Sequence, residues 1–476
     1  MLISQKHSWL PSVDPGIFMT NNSLRIERLD ANRTTFASDI SRLRKKLSPD
    51  GSVVSDRGLQ LTMAVFGQPL TPQLVVERIC NDVKSKGTEA VLHYARALDN
   101  PSTSADTLRV PCELLQQSHA NASPEFLQTI RRIRDNISGF QSAILHQNIA
   151  TNPSKGVVLE QRYTPLRRVG ICVPGGAAAY PSTVLMTAIP AICAGVEQIV
   201  IVAPPTSLGA YNPDVLAVCH ELGIAEVYAV GGAQAVAALA YGIPEIPAVD
   251  KIVGPGNLFV ALAKRFVYGD VDIDSIAGPS EVVVLADATT NPDFAASDML
   301  AQAEHSPGAS IVVSWDSMML DRIELSIHQQ LEKLERAELT LSSLNAFGAM
   351  ILCRDEEQAC EVTSLIAPEH LQIAVDNPRR LLAKIRNSGA VFLGHFSPVA
   401  LGDYAAGPSH VLPTGGTARW ASGLSSNHFL RSSSVIEFDQ SALQEIAADV
   451  ALLADKEGLT AHKNSVLMRQ MLVRKP

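Results

Sequence analysis

The sequence predicts an α/β protein built on two parallel-sheet domains, with small helical segments at its N- and C-terminal ends. Three observations carry that expectation. From Arg168 onward, short β-branched runs alternate with helical segments. Glycine loops close several of those runs, as in chains that pass from strand to helix. The chain is 476 residues long, more than one ordinary core organises, so two or three domains are the default.

Taken in order, residues 1–58 are polar and broken by Pro11, Pro15, Asn21-Asn22-Ser23 and Ser48-Pro49-Asp50-Gly51. They predict an irregular, poorly ordered extension, with Met19 as a second candidate start. From Thr71 to about Gln161 the apolar spacing is helical, as in Leu74, Val75, Ile79 and Val83, then Ala90, Val91 and Tyr94. Strands are expected at 169–173, 198–202, 226–230 and 251–253, with helices between them, one running to about Ala194, one opened by Asn212-Pro213-Asp214 and one from Ala233 to Tyr241. A second series of strands is expected near 281–286, 310–314, 349–353, 371–375 and 390–393. From about 426 the alternation stops, and a helical tail follows. The expected division is 1–58 as extension, 59–165 with 278–425 as a first, discontinuous α/β domain, 166–277 as a second α/β domain, and 426–476 as the tail. No sequence repeat of short period occurs.

Composition narrows the function. Hydrophobic residues make up 46% and charged residues 18% of the chain, which fits a globular enzyme and excludes a disordered or fibrous one. The formal charge of −9 gives no basic field for nucleic acid or an anionic membrane, and Arg44-Lys45-Lys46 is too short a run to be more than a solvated face. No stretch of 18 or more apolar residues is present to span a membrane, and Met1 to Asn22 lacks the apolar run of a secretory signal. Seven cysteines, at 80, 112, 172, 193, 219, 353 and 360, form no CxxC pair and lie mostly in apolar stretches. Reduced, buried thiols and a cytoplasmic location are the simplest expectation.

No GxGxxG follows a strand, so the usual dinucleotide fingerprint is absent and the expected domains are Rossmann-like without it. Instead Pro174-Gly175-Gly176, Gly231-Gly232 and Gly254-Pro255-Gly256-Asn257 end successive strands. In a parallel sheet such loops gather at the carboxyl edge, where backbone N–H groups and helix N-termini favour a phosphate. Each loop alone also fits plain turn chemistry. Gln234 and Asn257 are the polar residues best placed there to orient a ligand.

Candidate chemistry lies further on. Gln302 and His305, three residues apart in a predicted helix, share one face and can point at one ion, while Glu304 faces elsewhere. A helical histidine can equally be a solvent-facing or hydrogen-bonded residue. Glu369-His370 closes a predicted helix just before a strand, which suits general-base work at a cleft edge and also suits a histidine complementing a helix dipole. Asp403 and His410 punctuate a Gly/Pro-rich loop, and His462 lies in the tail five residues after Glu457. Spacing alone ties none of these to Gln302 and His305.

The motifs that remain are more specific. Arg-Val-Gly-Ile-Cys-Val-Pro-Gly-Gly (168–176), Val-Gly-Gly-Ala-Gln-Ala (230–235), Gly-Pro-Gly-Asn (254–257), Ala-Gly-Pro-Ser-Glu (277–281) and Ala-Gln-Ala-Glu-His (301–305) are followed by Ala-Pro-Glu-His-Leu (367–371), Gly-Asp-Tyr (402–404), His-Val-Leu-Pro-Thr-Gly-Gly (410–416) and Ala-His-Lys-Asn (461–464). In this order, over roughly residues 60–473, the chain resembles the histidinol dehydrogenase family. The resemblance implies oxidation of L-histidinol to L-histidine by two NAD molecules, the last step of histidine biosynthesis. It implies one Zn2+ per subunit held by Gln302, His305, Asp403 and His462, an oxygen and nitrogen set that suits zinc. It implies Glu369 and His370 as proton acceptors, with Ser280, His410 and Glu457, together with the metal ligands and His370, touching substrate. Gln234 and Asn257 match positions that touch NAD. Where relatives carry a tyrosine beside NAD this chain has Cys172, which puts cofactor contact there in doubt. A thiol on a buried strand has a raised pKa, which argues against Cys172 as an aldehyde-trapping nucleophile. Pro408-Ser409 also departs from the Thr-Asn of some relatives. The family implies an intertwined homodimer whose tail brings Glu457 and His462 to the partner's site. Two other functions compete: a zinc and NAD dehydrogenase of another polyol or a sulfonated diol, and a non-catalytic metabolite-binding protein. Charge and motifs support no nucleic-acid or membrane partner.

Overall fold

The computed structural model describes residues 23–47, 56–175, 178–276, 278–305 and 307–471. Its first elements are a strand β1 (Glu27–Asp30) and a helix α1 (Phe36–Leu47). The expectation of an irregular extension to residue 58 therefore fails for 23–47. Residues 1–22, with Met19, and 48–55 lie outside the described residues. β1 has only four residues, and its hydrogen bonds go to a strand more than 300 residues later, so local pattern could not expose it.

Helices α2 (Asp56–Phe66), α3 (Pro72–Lys86), α4 (Thr88–Leu98), α5 (Ala105–Leu108), α6 (Cys112–Asn121) and α7 (Pro124–Ala143) follow. Thr71 caps α3 by accepting the Leu74 N–H, and Pro72 opens its first turn. Val75, Val76, Ile79, Cys80 and Val83 make its buried stripe. The helical expectation holds to residue 143 and fails beyond it, where β2 (Ile149–Thr151) and β3 (Val157–Pro165) run instead.

A parallel series comes next: β4 (Arg168–Cys172), α8 (Pro181–Ala194), β5 (Gln198–Ala203), α9 (Pro213–Glu221), β6 (Glu226–Ala229), α10 (Gly232–Tyr241), β7 (Lys251–Val253), α11 (Leu258–Val267) and β8 (Asp272–Ile273). Its five strands form one sheet in the order β6-β5-β4-β7-β8, parallel throughout. Both faces are covered. α3, α4, α10 and α11 bury one face, and α6, α7, α8 and α9 bury the other. The helices of 71–143 thus share cores mainly with residues 166–277, Val411 and Leu424 being the buried residues of 278–425 that join them, whereas the expected division grouped these helices with 278–425. Helical periodicity reports that a face is buried but not against what.

The second series is β9 (Ser280–Ala286), α12 (Pro292–Ala303), β10 (Gly308–Ser314), α13 (Ser317–Leu331), α14 (Ala337–Phe347), β11 (Ala349–Leu352), α15 (Glu356–Ile366), β12 (His370–Ile373), α16 (Pro378–Leu382), β13 (Ala390–Leu393) and α17 (Val399–Tyr404). Its sheet has the order β1-β11-β10-β9-β12-β13, again all parallel. Val282, Val283, Val284 and Leu285 make β9 a continuous apolar run because both faces are buried.

The tail holds β14 (Leu430–Phe438), α18 (Gln440–Lys456) and α19 (Thr460–Met471). β14 pairs antiparallel with β3 along its whole length, and β3 with β2, giving a separate ribbon. The purely helical tail expected from 426 is thus corrected. Ser432-Ser433-Ser434 gives β14 no apolar alternation to read. Among the described residues no helix is long and apolar enough to cross a membrane.

Candidate active site

The polar cluster forms at the amino edge of the six-stranded sheet, where β9 and β12 begin and α12 ends. Asn291 caps α12 by accepting the Asp293 and Phe294 N–H groups, and Ala295, Ala296, Met299, Leu300 and Ala303 bury its far side. Gln302 falls in the last turn, buried, with its amide Nε2 without a hydrogen-bond partner. His305 follows the helix, its N–H bonded to the Gln302 carbonyl at 3.3 Å. β10 starts so close behind that a Cβ at Gly308 would strike that same carbonyl oxygen, so only glycine fits. His305 keeps an open side to solvent, yet the protein around its ring, and the neighbouring His370, lower its pKa. One turn before Gln302, the Asp298 carboxyl accepts the N–H of Val399 and docks α17 against α12; burial pushes that carboxyl up to about 6.

Glu369 and His370 reach the cluster through an unusual turn. α15 ends at Ile366, and Ala367 adopts φ +53°, the one positive φ among the described non-glycine residues. That turn delivers Glu369 to the sheet edge and makes His370 the first residue of β12. His370 therefore does not complement the end of α15; its Nδ1 meets the backbone carbonyl of Glu281 at 3.0 Å. A carbonyl only accepts, so Nδ1 carries the proton and Nε2 keeps its lone pair. Nε2 points toward Asp403, 3.8 Å from Oδ1. Burial lowers the His370 pKa, and the Asp403 charge opposes the shift. The Glu369 Oε2 accepts both the Ser280 hydroxyl at 2.7 Å and the Glu281 N–H at 2.9 Å. Burial pushes Glu369 up to about 8 in spite of those two bonds, with the Asp403 charge adding to the rise.

Asp403, on α17, has its own pKa raised by burial, with His370 opposing. Its backbone carbonyl accepts the Nδ1–H of His410 at 3.0 Å, which leaves the buried His410 Nε2 unpartnered. Burial pushes His410 down to about 4, so the ring is neutral near neutral pH. Ser409 donates to the Met186 carbonyl at 2.8 Å and accepts the Val411 N–H, which ties this loop to α8. Ser280, Gln302, His305, Glu369, His370, Asp403 and His410 thus belong to one neighbourhood. Glu457 and His462 do not join it within one chain: both are exposed, in a tail whose helices α18 and α19 pack on each other.

Among the described residues, no three His, Cys, Asp or Glu side chains form a ready metal centre. Gln302, His305 and Asp403 nonetheless fit a zinc ion in their chemistry. They supply two oxygens and an imidazole, and because the Gln302 Nε2 has no hydrogen-bond partner, turning the amide to present its oxygen to an ion breaks no hydrogen bond of that nitrogen. A tetrahedral ion held there would need a fourth ligand from elsewhere.

The glycine loops lie at the carboxyl edge of the five-stranded sheet, with Gly176 outside the described residues. Gly254 has φ +101°, and a Cβ there would strike the Cys172 carbonyl oxygen. A fully buried Lys264–Asp274 ion pair clamps it, Asp274 accepting the Gly254 N–H at 2.7 Å and Lys264 donating to its carbonyl at 3.0 Å. Gln234 is buried, donating to Asp99 at 2.9 Å, and its Oε1 has no partner. Asn257 spends its side-chain oxygen capping α11, through the Phe259 and Val260 N–H groups. Cys172 is buried on β4 and desolvation pushes its thiol up to about 12, so it is no nucleophile.

Sequence reasoning did not single out Asp99, Lys264, Asp274, Glu281 or Asp298. A signal existed for two of them. Lys264 interrupts the apolar run Leu258–Val267, and Glu281 directly precedes the apolar run Val282–Ala286 of β9; each is a buried charge that demands a partner.

Comparison with known proteins agrees with this arrangement. A family model described as histidinol dehydrogenase matches residues 70–470. The chain is 62% identical over 444 residues to a histidinol dehydrogenase of Rhodopirellula baltica, covering 93% of this chain and 96% of that one. It is 45% identical to a histidinol dehydrogenase of Bacillus subtilis, covering 84% and 93% of the two chains. The crystal structure of histidinol dehydrogenase from Elizabethkingia anophelis superposes with a TM-score of 0.85 at 31% identity, covering 96% of this chain and all of that one. A family match across most of the length, with relatives this similar over nearly their full extent, places the protein: the chain belongs to the histidinol dehydrogenase family, oxidoreductases of the last step of histidine biosynthesis.

Proposed function

We propose that this enzyme, working in the cytoplasm, oxidises L-histidinol to L-histidine in two hydride transfers to NAD, through an L-histidinaldehyde that stays bound. The observation that supports this most is the pairing of Glu369 and His370 at one sheet edge, with the His370 Nε2 free and directed toward Asp403. His370 takes the alcohol proton as the first hydride leaves for NAD. Glu369, whose pKa of about 8 lies near working pH, takes a proton from the water that adds to the aldehyde. Loss of the second hydride from that hydrate gives the acid. Ser280 holds Glu369 Oε2 in place, and His410 offers its neutral Nε2 to substrate.

Zinc, when bound, supplies a Lewis-acidic centre that holds the imidazole and amine of the substrate. Gln302, His305 and Asp403 of one subunit and His462 of the other would hold it. The exposed His462 and Glu457, and the exposed apolar side chains Leu452, Leu453 and Leu459 beside them, favour a tail that swaps onto a second copy of the chain. NAD would lie over the glycine loops, with Gln234 presenting its unpartnered oxygen and the exposed amide of Asn257 beside it.

The test is anaerobic incubation with L-histidinol and NAD, with and without chelator, counting NADH per histidinol consumed. A yield near two that is lost on chelation supports the reading. No NADH from histidinol, with turnover of another polyol or of a sulfonated diol, overturns it.

A further inference from the structure

Glu281 is the second residue of β9 and has no part in the chemistry described so far, yet it meets both reacting residues. Its N–H donates to Glu369 Oε2 at 2.9 Å and its carbonyl accepts His370 Nδ1–H at 3.0 Å. Any residue at this position could make those backbone contacts. The side chain does something else. Glu281 Oε1 accepts the backbone N–H of Glu369 at 3.2 Å and that of Gly415 at 3.1 Å. With the Glu281 N–H bond to Oε2, the first of these closes a reciprocal ring between the two glutamates. The second reaches the segment that carries His410, which Thr414 also anchors by accepting the Gly278 N–H at 2.6 Å.

We infer that Glu281 is a positioning residue of the dehydrogenase site, its carboxyl group joining the Glu369-His370 peptide to the 410–416 loop so that base and substrate loop keep one spacing. Two features argue that the side chain is retained for this role and not for stability. It is 1% exposed, and Oε2 makes no close hydrogen bond, although the Gly416 N–H and the Arg44 guanidinium act on the carboxyl group. A buried carboxyl with an oxygen lacking a close hydrogen bond beside another carboxyl costs free energy, and a packed apolar residue would be cheaper if only core filling were needed. Burial, and then the nearby Glu369 charge, push Glu281 up to about 8, in keeping with that cost. Each reacting group is also held from an element other than its own, which fixes it to a fraction of an ångström.

The inference rests on the oxidation proposed above, and its test separates the two. Glu281→Gln keeps a carbonyl oxygen for both N–H groups, whereas Glu281→Ala removes it and Glu281→Asp is one carbon too short to reach both donors. In the zinc-loaded enzyme, positioning predicts a kcat loss of about 10- to 100-fold in Ala and Asp, with KM for histidinol changed by less than about threefold, and Gln recovering most of kcat. Hydrogen–deuterium exchange is the second readout: protection of the Glu369 and Gly415 amides should fall in Ala and Asp and persist in Gln. A folded Ala variant with kcat within about twofold of the unsubstituted enzyme, or equal losses in Gln and Ala, overturns the assignment. Should Ala not fold, Asp and Gln decide by the same criteria. Absence of turnover in the unsubstituted enzyme would instead overturn the reaction, leaving the exchange experiment to judge Glu281.

Discussion

The backbone carbonyl of Glu281 accepts the Nδ1 proton of His370 at 3.0 Å. This one contact sets the tautomer of the ring and leaves Nε2, 3.8 Å from Asp403, as the only nitrogen able to accept a proton from substrate. The direction of the base is therefore fixed by main chain from a neighbouring strand.

Removing that base should damage the chemical step more than binding. His370→Asn is expected to lower kcat by roughly 100- to 10,000-fold while KM for histidinol changes little. Glu369→Gln should spare the first hydride transfer, so rapid mixing with NAD should show a burst of about one NADH per site before slow turnover. A burst near two would remove Glu369 from the second half-reaction.

Completion of the site by a second subunit has a quantitative signature. Glu369→Ala and His462→Ala homodimers should each be inactive. After full subunit exchange, half of the dimers are mixed, and each mixed dimer regains one intact site, so about a quarter of normal activity should return. If His462 acts within its own chain, no activity returns.

Cys172 should prove chemically silent. With its thiol pushed up to about 12 and buried on β4, it should resist iodoacetamide at pH 8, whereas the exposed Cys112 should label readily. Cys172→Ala should keep kcat within about threefold, as measured by NADH production, because no step passes through sulfur.

Stability should fall as pH rises, through Glu281. Its carboxyl goes from a usual value of 4.5 to about 8 on folding, so the folded state binds its proton more tightly than the unfolded chain does. The resulting stability is complete below about pH 4.5 and is lost as pH climbs to about 8. Glu281→Gln cannot titrate. Its unfolding free energy relative to the unsubstituted protein, read from melting curves, should rise between pH 5 and pH 9, by an amount on the order of a few kcal/mol at most. A constant difference across that range would mean that Glu281 is ionised throughout.

Much of the architecture is legible in the sequence. Val169, Ile199, Val227 and Ile252 mark strands of a sheet covered on both faces, and such strands announce themselves as unbroken apolar runs. β14 and β1 gave no such sign, because each is held by hydrogen bonds to a partner far away in the chain. The site was legible only as scattered polar residues. Gln302 and His305 could be linked through helical spacing, but their nearness to His370, Asp403 and His410 depends on how α12, β12 and α17 meet.

By itself, then, the sequence determined the alternation of strands and helices, the glycine turns and the family motifs, since these depend on residue type and short spacing. Tertiary structure alone decided that the helices of 71–143 serve the five-stranded sheet, that His370 carries its proton on Nδ1, and that Glu281 touches both reacting residues. The physical reason is range. Periodicity and turn chemistry act over a few residues, whereas desolvation, tautomer and the pairing of buried polar groups are set by neighbours that only the folded chain brings together.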